Sequence, residues 1–470
     1  MLDIALIREK PEWVKEQLAK LNDADAVARI DSILELDKQR RQLLTESESI
    51  QAARNKLNKN VGALRGNKKL DDGAKAAQAA AAVKAINARD YDGAARYMTG
   101  ESSAAEAGDA AAMDALMSAL KGMGERVEKL NEEVKLVEEK LDETMLWVPN
   151  MPHSSVPVFP SEEHNKPWTP EGQFFEFDFE PKPHWELGPA LDMIDFERGV
   201  RMVGSRGYVL KGWGARLQRA LINLFLDMAR TKGFEELYVP LMVKEEMMYG
   251  SAQFPKFRDV VYFDADADVY MLPTAEVAIT NLHRDEILDE AQLPLYYVAH
   301  TPCFRREKMS AGRDVRGIKR VHQFEKVEMY KFTSPETSYA ELESLAEAAS
   351  DICRALKMPF RRLEIVTGDL GFSASKKYDI EMYSPGCKEW LEVSSCSNTE
   401  DFQARRANVK YRTAEGGKRT QFVHTLNGSG LATPRVVIAI MENYQQADGS
   451  IVIPEVLRPY VGGAEVITKA

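Results

Sequence analysis

Residues 301–332 read TPCFRREKMSAGRDVRGIKRVHQFEKVEMYKF, and the reading of this stretch decides the rest. Two runs of β-formers flank a glycine-bearing loop, the pattern of an antiparallel hairpin. Between positions 301 and 330, eight basic residues (Arg305, Arg306, Lys308, Arg313, Arg316, Lys319, Arg320, Lys326) outweigh four acids (Glu307, Asp314, Glu325, Glu328). Locally the charge is +4, although the whole chain carries −11. Side chains alternate along a strand, so an extended segment puts Arg305 on one face with Glu307, and Phe324 with Lys326 and Glu328. Such a hairpin can offer Arg305 to a phosphate bidentately, Phe324 as a stacking surface for a base and a carboxylate to a purine amino group. A solvated basic hairpin is the plain alternative, and charge alone favours it. The order of residue types argues the other way.

Working outward, the chain has 470 residues, enough for two to three domains and a sizeable core. With 44% apolar residues and no 18-residue apolar run, it reads as a soluble globular protein without a membrane span. Asp3 and Glu9 interrupt the N-terminal apolar residues, which disfavours a secretion signal. Cys303, Cys353, Cys387 and Cys396 match no CxxC pair and no dense disulfide framework. They read as reduced thiols of a cytoplasmic protein, and the seven histidines show no zinc-ligand spacing.

The first 145 residues differ from the rest. Leu36, Leu43, Ile50, Leu57 and Leu64 recur every seven positions, and a second seam runs from Met113 through Leu116, Leu120, Met123, Val127, Leu130, Val134 and Val137 to Leu141. Two heptad seams in one chain predict an antiparallel helical hairpin, its first helix at about 28–66. Between them, residues 74–119 hold 19 alanines, a stretch open to two readings: short helices at the hairpin tip, or a partly disordered insertion. From 50 to 69 there are six basic residues (Arg54, Lys56, Lys59, Arg65, Lys68, Lys69) and no acid, a helical surface that can lie along phosphates, with a plain solvated helix as the alternative. Six prolines between 149 and 170 then mark a linker. Beyond it, a helix through Leu217, Leu221, Leu224, Phe225 and Met228 precedes short β-rich runs (DVVYF, LYYVAH, RLEIV, WLEVSS), the pattern of an antiparallel α+β domain. Neither GxGxxG nor GxxxxGK[ST] is present, so a nucleotide would bind without a Rossmann or P-loop cradle.

FRREKMSAGRDVRGIKRVHQFEKVE resembles motif 2 of the class II aminoacyl-tRNA synthetases in its seryl form. LYVPLMV, with Pro240 at its centre, resembles motif 1, and HTLNGSGLATPRVVIAIMENYQ, with Arg435, resembles motif 3. PTAEVAITNL, WLEVSSCSNTEDFQARR and IPEVLRPY extend the likeness over residues 188–462, and the heptad arm fits the same family. The resemblance implies an α+β protein: a long antiparallel coiled-coil arm for tRNA at 1–146, with the Ala-rich insertion at about 70–119 as its departure from the family; a Pro-rich linker at 147–170; and a class II catalytic domain at 171–470 built on an antiparallel sheet flanked by helices. It implies a cytoplasmic homodimer with Pro240 at the interface that activates L-serine with ATP and charges tRNA(Ser), tRNA(Sec) being a candidate second substrate.

The same resemblance assigns roles. Arg305 and Arg435 would be catalytic. The ATP site would comprise Arg305, Arg306, Glu307, Arg320, Val321, Phe324, Glu392, Val393, Ser394, Ser395 and Arg435. Thr274, Ala275, Glu276, Arg305, Glu328 and Ser429 would line the serine pocket. Glu392 and Ser395 would hold Mg²⁺ between the phosphates, and no zinc is expected. These residue types suit the chemistry: joining a carboxylate to a phosphate brings two anions together, which calls for arginines and a hard cation held by oxygen. Glu392 stands in the apolar run WLEV, where a buried carboxylate would be costly unless paired or metal-bound.

Overall fold

The computed structural model describes residues 1–308, 316–413 and 419–469, so Arg313 and Asp314 of the basic hairpin lie outside the described residues. The chain forms two compact units, Met1–Val27 with Leu146–Ala470, and Ala28–Met145. The first 27 residues therefore group with the C-terminal unit and not with the arm. Their two short helices, α1 (Ile4–Glu9) and α2 (Pro11–Ala19), bury Ile7, Val14 and Leu18, and Asp3 pairs with Arg405 at 3.1 Å.

The helical unit is built on α3 (Ala24–Gly66), α4 (Asp72–Asn87), α5 (Tyr91–Thr99) and α6 (Ala112–Leu146). Heptad positions Ile50, Leu57 and Leu64 pack with Leu116, Leu120, Met123, Val127 and Leu130. The direction is antiparallel, since Arg40 bonds Glu138 at 2.8 Å while Ser47 bonds Asn131 at 2.7 Å. In the Ala-rich stretch, the structure shows the helices α4 and α5, whose Ala79, Ala82, Ala94 and Ala95 are buried in the same cluster. Small side chains allow that close approach, and Asp71 and Asp90 cap the two helices by accepting from backbone N–H groups.

In the other unit, eight strands form the main sheet: β1 (Lys166–Pro167), β2 (Glu235–Leu237), β3 (Leu295–Phe304), β4 (Gln323–Thr333), β5 (Phe360–Glu364), β6 (Lys376–Ser384), β7 (Glu389–Asn398) and β8 (His424–Ala432). Their order is β1-β5-β6-β7-β8-β4-β3-β2, antiparallel except for β2 beside β3. One face packs on α8 (Trp213–Thr231), α9 (Ser338–Ala355) and α10 (Thr433–Asn443) through Val298, Val327, Met329 and Ile380. Two expectations change. The proline-rich segment is no free tether: β1 is an edge strand paired with β5, where a proline costs no ladder bond, and Asn150 donates to the carbonyls of Ser373 and Thr399. DVVYF begins in a 3-10 turn at Arg258–Val260, and of its five residues only Phe263 is strand. No helix among the described residues is long and apolar enough to cross a membrane.

Candidate active site

The opposite face of the sheet is apolar at one end, where Tyr297, Tyr330 and Phe332 join a second buried cluster, and polar beyond it, and its register explains why. On β4, Phe324, Lys326 and Glu328 alternate onto this face, and Glu328 stands opposite Ser429 of β8. Lys326 and Phe324 lie opposite Thr301 and Cys303 of β3, which puts the next alternate residue, Arg305, on the same side. On β7, Glu392 and Ser395 are three residues apart and in a regular strand would point to opposite faces. The β6–β7 register shifts there: Ile380 pairs Ser394 and Glu381 pairs Glu392, leaving Val393 as an extra residue. This bulge re-phases the strand and turns Glu392 and Ser395 to the same face.

These side chains meet in a cavity of about 420 Å³. Of the residues singled out in the sequence, Thr274, Glu276, Arg305, Glu307, Arg320, Val321, Phe324, Glu328, Glu392, Val393, Ser394, Ser395, Ser429 and Arg435 line it. Arg306 and Ala275 do not. The Arg306 guanidinium lies over Tyr262, 5.4 Å from the ring centre, and Ala275 is buried in an apolar cluster. The strand β3 ends at Phe304, so Arg305 and Glu307 are not alternate residues of one strand as expected; Glu307 adopts φ +51°. Both reach the cavity nonetheless, Arg305 with its guanidinium 5.1 Å from the Phe324 ring centre and Glu307 paired with Arg320 at 3.4 Å.

Glu392 corrects the expectation of a buried carboxylate: its side chain is 49% exposed, while its neighbours Leu391 and Val393 turn into the core. Loss of bulk water within the concave site pushes its carboxyl up, but Arg435, 3.7 Å away, together with Lys377, Arg305 and Arg320, outweighs this, and the group titrates below its ordinary value. Glu276 goes the other way. Burial, reinforced by Glu328, pushes it up to about 7 against Lys326 and a hydrogen bond from Gln403 of 2.7 Å. Glu328 is buried, and neither of its oxygens accepts a hydrogen bond, although it forms an ion pair with Lys326. An oxygen-only donor set at Glu392 and Ser395, with Asp379 opposite Ser395 and one of its own oxygens unbonded, fits a hard divalent cation.

In the arm, Lys59, Arg65, Lys68 and Lys69 are exposed. Lys56 bonds Asp92 of the Ala-rich insertion at 2.9 Å, and this hydrogen bond holds the Asp92 carboxyl below its usual range. Arg54 is half-buried against α6, where a Cβ at Gly124 would come within 2.8 Å of its guanidinium carbon. At 100° per residue the six basic residues do not share a single face: Arg54 and Arg65 border the seam, Lys56 and Lys59 lie away from it, and Lys68 and Lys69 follow the helix end. Pro240 is exposed between Tyr238, 96% exposed, and Met242.

A family described as "tRNA synthetase class II core domain (G, H, P, S and T)" matches residues 260–444, and one described as "Seryl-tRNA synthetase N-terminal domain" matches residues 1–92. The serine–tRNA ligase of Roseiflexus sp. (strain RS-1) is 53% identical over 469 residues, covering all of both chains. The chain belongs to the seryl-tRNA synthetases. The serine–tRNA ligase of Thermomicrobium roseum is 49% identical over all of this chain and 95% of its own. The crystal structure of the seryl-tRNA synthetase from Pyrococcus horikoshii, complexed with ATP, superposes with a TM-score of 0.86 at 35% identity over both full chains. As a seryl-tRNA synthetase, this protein is a ligase that forms aminoacyl-tRNA.

The sequence reading placed Lys326 on this face but gave it no role, and it missed Asp379, which stands opposite Ser395 and does not itself line the cavity. Lys326 shares the alternating face of Phe324 and Glu328, so the signal was present; its buried ammonium donates to Thr274 Oγ1 at 2.8 Å and draws Thr274 and Glu328 together. Asp379 reaches the site through strand pairing alone. Burial pushes it up to about 7 despite Lys377, and nothing in its local sequence announces that.

Proposed function

We propose that this cavity makes seryl-adenylate. The observation that carries the reading is Glu328, a buried carboxylate that pairs with the Lys326 ammonium but accepts no hydrogen bond, facing Ser429 across the sheet. A small substrate bearing a hydroxyl and an ammonium would supply the missing donors, with Thr274 and Glu276 in the same wall.

The serine carboxylate attacks the α-phosphorus of ATP, the bond to the bridging oxygen breaks, and pyrophosphate leaves. Arg305 holds the two anions together, Phe324 stacks on the adenine, Glu307 accepts from its amino group, and Arg435 closes the other side towards the γ-phosphate. Glu392 and Ser395 would hold Mg²⁺, which when bound neutralises phosphate charge. No protein nucleophile is needed, because positioning and charge neutralisation suffice. The 3′-terminal hydroxyl of tRNA(Ser) then attacks the activated carbonyl and AMP leaves; tRNA(Sec) is a candidate for the same step. The arm supplies phosphate contacts through Lys59, Arg65, Lys68 and Lys69, with Arg54 and Lys56 already engaged within the arm. The exposed apolar side chains of Tyr238, Pro240 and Met242 suit a homodimer contact. Four free cysteines suit a reducing cytoplasm.

ATP/pyrophosphate exchange tests the reading. Exchange should require serine and fall at least about a hundredfold in Arg305→Ala with the melting curve retained. Exchange independent of serine, or unaltered in that variant, would refute it.

A further inference from the structure

Behind the cavity, outside the residues given a role above, lies a buried cluster. His184, first residue of α7 (His184–Ala190), and Glu442, near the end of α10, have no exposed side-chain surface. Glu442 Oε1 accepts from the His184 backbone N–H at 2.8 Å and lies 2.9 Å from Nδ1. Its Oε2 accepts from Ser384 Oγ and from the Cys387 N–H. A carboxylate can only accept from Nδ1–H, so the ring is fixed in the tautomer whose Nε2 is an acceptor. That nitrogen takes the N–H of Ile318 at 3.1 Å. Both ring nitrogens and both carboxylate oxygens are engaged, and the Cys387 thiol donates to Glu442 Oε1 at 3.1 Å, so the three side chains form a closed hydrogen-bond network.

Ile318 belongs to the return segment of the basic hairpin, and it lines the cavity together with Lys319, Arg320 and Val321. Gly317 has φ +69°, and a Cβ there would stand 1.8 Å from His184 Nε2, so only glycine lets the backbone reach the imidazole. The Lys319 carbonyl accepts from Arg435 Nε at 3.4 Å, and Arg320 pairs with Glu307. Arg435 and Glu442 are seven residues apart on α10 and so share one helix face. The same helix face thus grips the return segment twice, once directly through Arg435 and once through His184.

We propose that His184, held by Glu442, is a positioning residue that seats residues 317–320 against the nucleotide side of the cavity; this rests on the reading of the cavity given above. Without the acceptor at Nε2, the Ile318 N–H is left unbonded in a buried place, the segment relaxes, and Arg320 and Glu307 lose their register with the nucleotide. The serine side, built on β4 and β8, is untouched.

The test is ATP/pyrophosphate exchange with a melting curve for each variant. His184→Leu keeps bulk without an acceptor, whereas His184→Gln places a carbonyl oxygen near the position of Nε2. A small misplacement of positioning groups costs ten- to a hundredfold, so His184→Leu should raise the KM for ATP by about tenfold or more. The KM for serine should move by less than about twofold, and His184→Gln should recover most of the loss. Equal rises in both KM values, or a lowered Tm with neither KM changed, would overturn the proposal. Arg320→Ala separates it from the reading beneath it. If Arg320→Ala raises the KM for ATP and His184→Leu does not, positioning fails and the cavity reading stands; if neither variant moves it, the nucleotide-side reading fails and takes the proposal with it. Should His184→Leu not fold, Gly317→Ala decides: a raised KM for ATP at constant serine KM supports the proposal, and unchanged values contradict it.

Discussion

Glu328 and Ser429 face each other directly across β4 and β8, and both are buried in the cavity wall. Beyond its ion pair with Lys326, Glu328 accepts no hydrogen bond, so a substrate hydroxyl placed between the two is bonded and a methyl is not. Glu328→Gln should lower kcat/KM for serine by about a hundredfold or more while leaving the slow rate with alanine where it is, because the discrimination comes from polar groups that alanine leaves unpaired. Ser429→Ala should cost less, about tenfold, the worth of one hydrogen bond. Steady-state exchange with both amino acids checks this, and equal losses for both would remove these residues from hydroxyl recognition.

Glu392 and Ser395 owe their common face to the Val393 bulge. Glu392→Gln keeps shape and removes charge, so activity and the apparent affinity for Mg²⁺ should fall together. Titrating Mg²⁺ against the exchange rate gives the answer. A half-saturating concentration equal to that of the parent would make Glu392 a partner of Arg435 only.

Glu276 carries a pH signature. Its carboxyl rises from an ordinary 4.5 to about 7 through burial and the neighbouring Glu328. Between these values the folded protein holds a proton that the unfolded chain has lost, so this group's contribution to stability falls as pH rises from about 4.5 to 7. The size is of order 3 kcal/mol at 1.4 kcal/mol per unit. Glu276→Gln should therefore flatten that part of the stability curve, gaining relative to the parent at pH 8 and not at pH 4. Urea unfolding at the two pH values measures it; parallel curves would contradict the assignment.

In the arm, changing Lys59, Arg65, Lys68 and Lys69 to Ala should raise the KM for tRNA and flatten its dependence on salt, since each lost phosphate contact removes about one unit of slope. Serine activation should be unaffected. Charging at the parental rate and salt dependence would turn the arm into a protein-interaction element.

What was legible follows from what is local. The seams of α3 and α6 were legible because knob packing repeats every seven residues, and Phe324, Lys326 and Glu328 because alternation needs no partner strand. The face shared by Glu392 and Ser395 was not, since only pairing with β6 reveals the extra Val393. Asp379, His184 and Glu442 were invisible for the same reason: their partners lie on other elements, hundreds of residues away in the case of His184. The edge strand at Lys166–Pro167 was hidden by its proline, which marks a linker as readily as a sheet edge.

The most direct measurement is ATP/pyrophosphate exchange by the unaltered protein across a panel of amino acids. Serine should support exchange, alanine should fall short by roughly 10⁴-fold because it leaves Glu328 and Ser429 unpaired, and threonine should be excluded by the lack of space for its methyl. Exchange with alanine comparable to that with serine would contradict the account.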